Sequence, residues 1–223
     1  MFRGVIFDLD GTLVDGYDAI AAGVNAARAR FGLPPLAVDD VRGRVGLGLS
    51  HLIVDVVGDA HAEEGAAVFR ATYDAACLPG TKAVPGLAAT LDALAARGAR
   101  LSVASNKPVR YSLRILEHLG VADRFDLVAG PETTGAIKPD PAMLRACLAA
   151  MATPAKHALY VGDMPLDAEA ARRAGVPVVL VAGGSSAREE LEATGHPVLA
   201  ALTELPEWVA GTAPRHPSFP SKR

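Results

Sequence analysis

Short apolar runs and helical repeats alternate along most of this chain. The apolar runs have the length of buried strands, and between them apolar residues recur at the spacing of amphipathic helices. The predicted strands are Val5–Leu9, Arg100–Ala104, Leu127–Ala129, Leu159–Val161 and Val176–Val181. The predicted helices are Leu87–Ala96, Val109–Leu119, Pro141–Met151 and Asp167–Ala174. This alternation predicts an α/β fold, a doubly wound and mostly parallel sheet with helices on both faces.

One segment early in the chain interrupts the alternation. Residues 16–79 carry only helical repeats, which predict helices at Tyr17–Phe31, Val38–Arg44, Leu49–Val57 and Ala62–Ala76. A helical insertion after the first strand of an α/β domain is expected to form a cap over the strand ends. Its two crossings into the remainder of the chain, near residues 14–16 and 78–82, are the expected hinges.

The chain is therefore expected to fold as two domains. Residues 1–15 and 80–210 would form the α/β core, and residues 16–79 would form the helical cap. Residues 211–223 are rich in Pro, Ser and basic residues, and we expect this tail to pack loosely.

Composition and charge narrow the class of protein. The chain has 223 residues, 50% of them hydrophobic, and a net charge of −3, which is typical of a globular protein that does not bind nucleic acid. Its apolar stretches are too short to span a membrane. The two cysteines have neither metal-site nor redox spacing, and no secretory signal pattern is found, so we expect a cytoplasmic protein. Both a monomer and a homodimer are compatible with these features.

Polar residues cluster where the predicted strands end. The residues in question are Asp8, Asp10, Ser105, Asn106, Lys138, Asp163 and Asp167. The carboxyl ends of parallel strands share one edge of the sheet, which is where ligands bind, so these side chains should face one crevice. Asp8 and Asp10, two residues apart on an extended strand, would point at the same reacting centre.

These residue types suit phosphoryl transfer. A carboxylate that attacks a phosphate ester needs positive charge nearby, which Lys138 and a bound Mg²⁺ would supply. Each residue alone has a simpler explanation, because Lys138 could be a solvated surface residue and Ser105-Asn106 a turn. Asp163 and Asp167 could each cap the following helix. The ordered set favours catalysis over these alternatives.

The ordered motifs resemble those of the haloacid dehalogenase superfamily of aspartyl phosphatases. They are Asp8-Leu9-Asp10-Gly11-Thr12, Ser105-Asn106, Lys138-Pro139 and Gly162-Asp163 with Asp167. The resemblance implies that Asp8 attacks phosphorus and carries an aspartyl-phosphate, and that Asp10 acts as general acid and then base. Thr12 would orient Asp10. The phosphoryl group would be held by Ser105, the Asn106 N–H and Lys138.

The resemblance also implies a Mg²⁺ site. Its ligands would be the Asp8 carboxylate, the Asp10 backbone carbonyl and Asp163. Asp167 would either bind the metal through water or hold one of its ligands in place.

Further residues narrow the choice within the superfamily. Asp10 argues against a dehalogenase, and the absence of lysine before Lys82 argues against Schiff-base phosphonate cleavage. Ile20 occupies the position where mutases similar to β-phosphoglucomutase carry a histidine. The cap resembles that of bacterial phosphoglycolate phosphatases at Asp15, Asn25-Ala26-Ala27, Phe31-Gly32-Leu33-Pro34-Pro35, Val41-Arg42, Val45-Gly46 and Gly48.

The resulting hypothesis is a Mg²⁺-dependent phosphatase of a small phosphorylated metabolite, with phosphoglycolate as the leading substrate. Arg44, or alternatively Arg42, could hold a substrate carboxylate through a bidentate pair. A sugar-phosphate phosphatase or a β-phosphoglucomutase-like mutase is the first alternative. A phospho-accepting module similar to a receiver domain is a more distant one.

Overall fold

The fold is built around a sheet of six parallel strands. The computed structural model describes residues 2–211. The eight strands are β1 (Gly4–Phe7), β2 (Val14–Asp15), β3 (Lys82–Ala83), β4 (Arg100–Ala104), β5 (Val128–Ala129), β6 (Ala158–Gly162), β7 (Val178–Val181) and β8 (Val198–Leu199). The central sheet has the order β5-β4-β1-β6-β7-β8, and all its pairings are parallel. The predicted α/β fold class is confirmed.

Helices cover both faces of this sheet. They are α1 (Tyr17–Arg30), α2 (Val38–Arg42), α3 (Leu49–Val57), α4 (Ala62–Ala76), α5 (Leu87–Ala95), α6 (Val109–His118), α7 (Pro131–Thr134), α8 (Ala142–Ala150), α9 (Pro165–Ala174), α10 (Arg188–Glu192) and α11 (Leu205–Gly211). Short 3₁₀ turns lie at Asp59–His61, Ala122–Arg124, Ala155–His157 and Leu202–Glu204. No helix of the described residues combines the length and the apolar character needed to cross a membrane.

The sheet is buried on both faces because its strands are apolar at almost every position, the exceptions including Arg100 and Ser102 of β4. Successive side chains of β1 point to opposite faces, so Val5 and Phe7 pack in one cluster and Ile6 in another. The first cluster includes Leu91 of α5, and the second includes Met143 of α8. Each large apolar side chain that is fully buried in these layers contributes about 1.5–3 kcal/mol. This packing fixes the strand ends that carry the polar residues.

Helices α1 to α4 occupy the predicted insertion, between β2 and β3. These two strands pair antiparallel, with Val14 opposite Ala83, where the hinges were predicted. Phe69 of α4 packs so closely over Gly23 of α1 that a Cβ on Gly23 would meet its ring at 2.7 Å. Tyr73 of α4 contacts Tyr111 of α6 edge to face, with ring centroids 4.8 Å apart, which joins the insertion to the α/β layers.

Several predicted boundaries differ from the structure. The first strand ends at Phe7, so Asp8 and Asp10 lie beyond it, and the prediction that both lie on one extended strand is wrong. Gly11 has φ +84°, a backbone angle that residues other than glycine rarely adopt, and the chain turns there. The helix predicted to reach Arg44 ends at Arg42.

A few short elements were not predicted. Strands of two residues, such as β8, are too short to show any periodicity. Helix α9 begins at Pro165, two residues before its predicted start, since proline fits the first position of a helix. Of the predicted tail, Gly211 ends α11, and the remaining residues, 212–223, lie outside the described part of the chain.

Candidate active site

Five of the seven polar residues predicted at the strand ends line one cavity, and Asp163 and Asp167 lie behind them. Asp8 follows β1 and its N–H donates to the Val161 carbonyl at 2.8 Å, while Ser105 follows β4 and its N–H donates to the Ala129 carbonyl at 3.1 Å. These bonds continue the sheet beyond the strands and hold the loops in place. The cavity is lined by Asp8, Asp10, Ser105, Asn106 and Lys138 from the loops, and by residues of α1, α3 and α4.

Lys138 pairs with two carboxylates at the base of the cavity. Its Nζ lies 2.8 Å from Asp8 Oδ1 and 2.7 Å from Asp167 Oδ1. The Asn106 side chain positions Lys138, because its Oδ1 accepts from the Lys138 N–H at 2.7 Å and its Nδ2 donates to the Lys138 carbonyl at 3.3 Å. Burial opposes the charge of Lys138, but the two carboxylates outweigh it and raise its pKa. Lys138 is therefore a buried cation rather than a surface residue.

Asp167 caps the following helix, as the sequence allowed, and it also pairs with Lys138, which the sequence did not predict. Its Oδ2 accepts from the N–H groups of Asp163 and Met164, at 3.1 and 3.0 Å, and so caps the start of α9. Its Oδ1 faces Lys138 and the Tyr160 hydroxyl, the latter at 2.9 Å. Asp167 thus connects the start of α9 to the Lys138 ammonium group.

Asp163 is held by the two loops that flank it. Its Oδ2 accepts from the Ser185 N–H at 2.6 Å, and its Oδ1 accepts from the Thr12 hydroxyl at 3.3 Å. The Thr12 hydroxyl bonds to Asp163 instead of Asp10, the partner that the resemblance implied. Glycines make room for this carboxylate, because a Cβ on Gly11 or Gly184 would collide with it.

Three of the carboxylates could hold a cation. Ligand atoms of Asp8, Asp163 and Asp167 all lie within 4.8 Å of one another, and all three residues are buried. Burial and the charges of Asp167 and Asp8 raise the pKa of Asp163 well above its ordinary value. This donor set consists of oxygen atoms with uncompensated negative charge, and it therefore fits a hard divalent cation such as Mg²⁺.

Asp10 has a partner that the sequence reasoning did not place in the site. Lys107 Nζ lies 2.8 Å from Asp10 Oδ2 and 3.1 Å from Oδ1. The four site carboxylates thus face two lysine ammonium groups, and negative charge remains in excess.

Tyr160 was also not predicted from the sequence, although a tyrosine in a buried strand indicates a hydroxyl that needs a partner. Lys107 carried a weaker signal, its position directly after Ser105-Asn106.

The two candidate arginines lie away from the cavity. Arg44, predicted to bind substrate, forms an ion pair with Asp55 at 2.8 Å within the helical insertion. Arg42 lies over the Tyr17 ring, 4.1 Å from its centroid, and donates to the Gly183 carbonyl at 3.2 Å. Another contact between the insertion and the core lies at the cavity itself, where Asn106 Nδ2 donates to the Gly46 carbonyl at 2.7 Å.

Comparison with known proteins identifies the family. A family model described as haloacid dehalogenase-like hydrolase matches residues 5–181. The chain belongs to the haloacid dehalogenase-like hydrolases. A phosphoglycolate phosphatase of Rhodospirillum rubrum is 40% identical over 206 residues, which cover 87% of this chain and 85% of that protein. One from Aquifex aeolicus is 36% identical over 182 residues, covering 82% and 85% of the two chains.

A solved structure supports the fold of this haloacid dehalogenase-like hydrolase. The crystal structure of a protein from Lactobacillus delbrueckii matches with a TM-score of 0.88 and 22% identity, covering 95% of this chain and 99% of that one. The predicted superfamily and the predicted enzyme class, a phosphatase, are both confirmed by these relationships. Such phosphatases act on phosphorylated small molecules, which agrees with the residues around the cavity.

Proposed function

We propose that this protein hydrolyses short phosphate monoesters in a Mg²⁺-dependent reaction, with phosphoglycolate as the leading substrate. The observation that carries the proposal is Asp8, a buried carboxylate at the cavity with the Lys138 ammonium 2.8 Å away. A lysine at this distance neutralises part of the charge that would repel an incoming phosphate. This pairing of a carboxylate with an ammonium group supports Asp8 as the nucleophile.

In the first step, an Asp8 carboxylate oxygen would attack phosphorus and the ester P–O bond would break. Asp10 would give its proton to the departing alkoxide, which leaves as an alcohol. In the second step, Asp10 would take a proton from water as that water attacks phosphorus. The bond between Asp8 and phosphorus then breaks, which releases phosphate and restores both carboxyl groups.

We propose that Mg²⁺ is held by the carboxylates of Asp8 and Asp163 together with the Asp10 backbone carbonyl. The bound ion would neutralise charge on the phosphoryl oxygens. Asp167 would act as a positioning residue, because one of its oxygens pairs with the Lys138 ammonium group while the other accepts from the N–H groups of Asp163 and Met164. Lys138, Ser105 and the Asn106 N–H would contact the phosphoryl group on the remaining sides.

Residues 16–79 would serve as a cap that excludes water during the attack. The hydrogen bond from Asn106 to the Gly46 carbonyl supports this arrangement, because it joins the phosphoryl-binding loop to the insertion. The strand pair β2 and β3 would carry the hinge motion. Opening would then admit the water needed for the second step.

The choice of phosphoglycolate rests on the two relatives named above, which carry that activity in their names. We also propose that the substrate is a small phosphorylated metabolite and that the enzyme is cytoplasmic, either monomeric or homodimeric, which is consistent with the composition of the chain. Sugar phosphates and the mutase reaction are the alternatives that a substrate panel would reveal.

The test is to incubate purified protein with a panel of phosphomonoesters and to measure the phosphate released from each. Phosphoglycolate should give the highest kcat/KM, and excess EDTA should abolish turnover until Mg²⁺ is restored. Asp8→Asn should lose activity on every ester by at least about 10³-fold while the fold is retained. Asp123→Asn, at an exposed position, is the matched control. An Asp8→Asn enzyme with wild-type turnover would refute the assignment of the nucleophile.

A further inference from the structure

A second buried ammonium group faces the cavity beside Lys138. Lys107 lines the cavity, and its side chain is 7% exposed. Within residues 2–211, Lys107 and Lys138 are the only lysines that line this cavity, and no arginine lines it. Lys138 is committed to Asp8 and Asp167, so Lys107 is the cation available to another part of a substrate.

The contacts of Lys107 leave it able to bind a ligand. An ammonium group has three N–H donors, and Lys107 directs its Nζ toward the two oxygens of Asp10. The Tyr73 ring lies on another side, with its centroid 4.9 Å from Nζ. Nζ makes no further hydrogen bond within residues 2–211, so its third N–H can turn to an anion. Burial opposes the charge of Lys107, but Asp10 outweighs it and keeps the pKa of Lys107 raised.

The side chains around Lys107 are apolar, so burying an anion there costs free energy unless the anion binds to this lysine. Apolar and aromatic side chains form the wall that the helical insertion contributes, namely Ile20, Leu49, Leu52, Phe69 and Tyr73. A carboxylate enclosed by such a wall loses its water, and a charge-assisted hydrogen bond must replace that water. Lys107 is the group placed to supply it.

We propose that Lys107 determines specificity by binding a carboxylate of the substrate, close to its ester oxygen. This inference rests on the proposed function, in which Asp10 protonates the ester oxygen. Because Lys107 contacts the same Asp10 carboxylate, the anion that it binds must lie near that oxygen. Short esters such as phosphoglycolate meet this condition, since a single carbon separates their ester oxygen from the carboxylate.

Lys107 replaces the two arginines as the anchor of the substrate carboxylate. Arg44 is paired with Asp55, and Arg42 is paired with the Tyr17 ring and the Gly183 carbonyl. Neither lines the cavity around Asp8.

The kinetic test compares phosphoglycolate with ethyl phosphate, in which a methyl group stands in place of the carboxylate. The measured quantity is the ratio of the two kcat/KM values, which cancels any general effect of Lys107 on Asp10. Lys107→Met should lower this ratio by about 10- to 100-fold, the range expected for one charge-assisted hydrogen bond. Lys107→Arg should restore part of it. Lys156→Met removes an exposed lysine and should leave the ratio at its wild-type value.

A ratio unchanged in Lys107→Met would overturn the proposal, because a residue that only positions Asp10 would slow both esters equally. Calorimetric binding of 3-phosphonopropionate and propylphosphonate gives the same comparison without turnover. The wild type should prefer the carboxylated phosphonate, and Lys107→Met should lose that preference. Equal binding of both phosphonates by the wild type would also overturn it. Hydrolysis of ethyl phosphate by the wild type tests the proposed function separately.

Discussion

Replacing Asp163 with asparagine should stabilise the metal-free protein while it abolishes phosphatase activity. Asp163 is fully buried, and its ligand atoms lie within 4.8 Å of those of Asp8 and Asp167. Asparagine keeps an oxygen to accept from the Ser185 N–H and an amide to donate to the Thr12 hydroxyl. The substitution therefore removes a buried charge and retains both hydrogen bonds.

The magnitude follows from the spacing of the carboxylates. Two unit charges 4.8 Å apart repel each other by about 3 kcal/mol at an effective dielectric constant of about 20. Asp163 is repelled by two such carboxylates, and its attraction to the Lys138 ammonium group offsets about one of these two repulsions. Asparagine also accepts weaker hydrogen bonds than a carboxylate. The net gain in the free energy of unfolding should be about 1–3 kcal/mol without metal.

The same charge predicts a pH dependence. The unfolded Asp163 carboxyl titrates near 3.8, whereas the folded one has a raised pKa. As pH rises above 3.8, the unfolded state loses its proton first, so the free energy of unfolding of the metal-free wild type falls. The decline ends above the folded pKa. Asp163→Asn lacks this contribution, so its stability should fall less over that range.

Urea denaturation in EDTA at neutral pH measures the gain in stability, and its repetition at a series of acidic pH values measures the pH dependence, with Asp123→Asn as a control for loss of one exposed carboxylate. Adding Mg²⁺ should raise the midpoint of the wild type, since the ion binds the folded state, and should raise that of Asp163→Asn much less. The reasoning would be refuted by an Asp163→Asn protein that is less stable than wild type in EDTA. Such a result would mean that Asp163 contributes more through its hydrogen bonds than it costs through repulsion.

Two further predictions concern buried groups that are not proposed as metal ligands. Tyr160→Phe removes a hydroxyl that lies 3.1 Å from the Ala104 carbonyl and 2.9 Å from Asp167 Oδ1. It should lower the free energy of unfolding by about 1–3 kcal/mol and reduce kcat, and an unchanged urea midpoint would contradict this. Cys77 and Cys147 are both buried, and burial raises the pKa of the Cys147 thiol to about 12. Native protein at mildly alkaline pH should therefore resist a thiol reagent that labels both cysteines in denaturant, as a colorimetric thiol assay would show.

Much of the fold could be predicted from local patterns. Strand β4 and helices α3 and α4 have the predicted bounds, because long apolar repeats end at residues that favour turns or caps. The missed elements, among them β8 and α10, are shorter than the repeat that would reveal them. They form because neighbouring strands and helices provide their partners.

Some residues of the candidate site could likewise be predicted from the sequence, and others could not. The sequence indicated Asp8, Lys138 and Asp163 because polar residues that end apolar strands are brought to the same edge of a parallel sheet. It could not indicate the contact of Lys107 with Asp10, which joins residues 97 positions apart. That contact depends on where the loop after β4 directs its side chains.

The sequence by itself determined which residue types lie at the strand ends, and therefore the chemistry available to the protein. The apolar pattern of each strand is a local property, and the alternation of strands with helices predicts that the strands run parallel and end at one edge. Only the tertiary structure decided how the charges pair, which placed Arg44 on Asp55 and Lys107 on Asp10. Pairing depends on distances between side chains that are far apart in the chain, and packing of whole elements sets those distances.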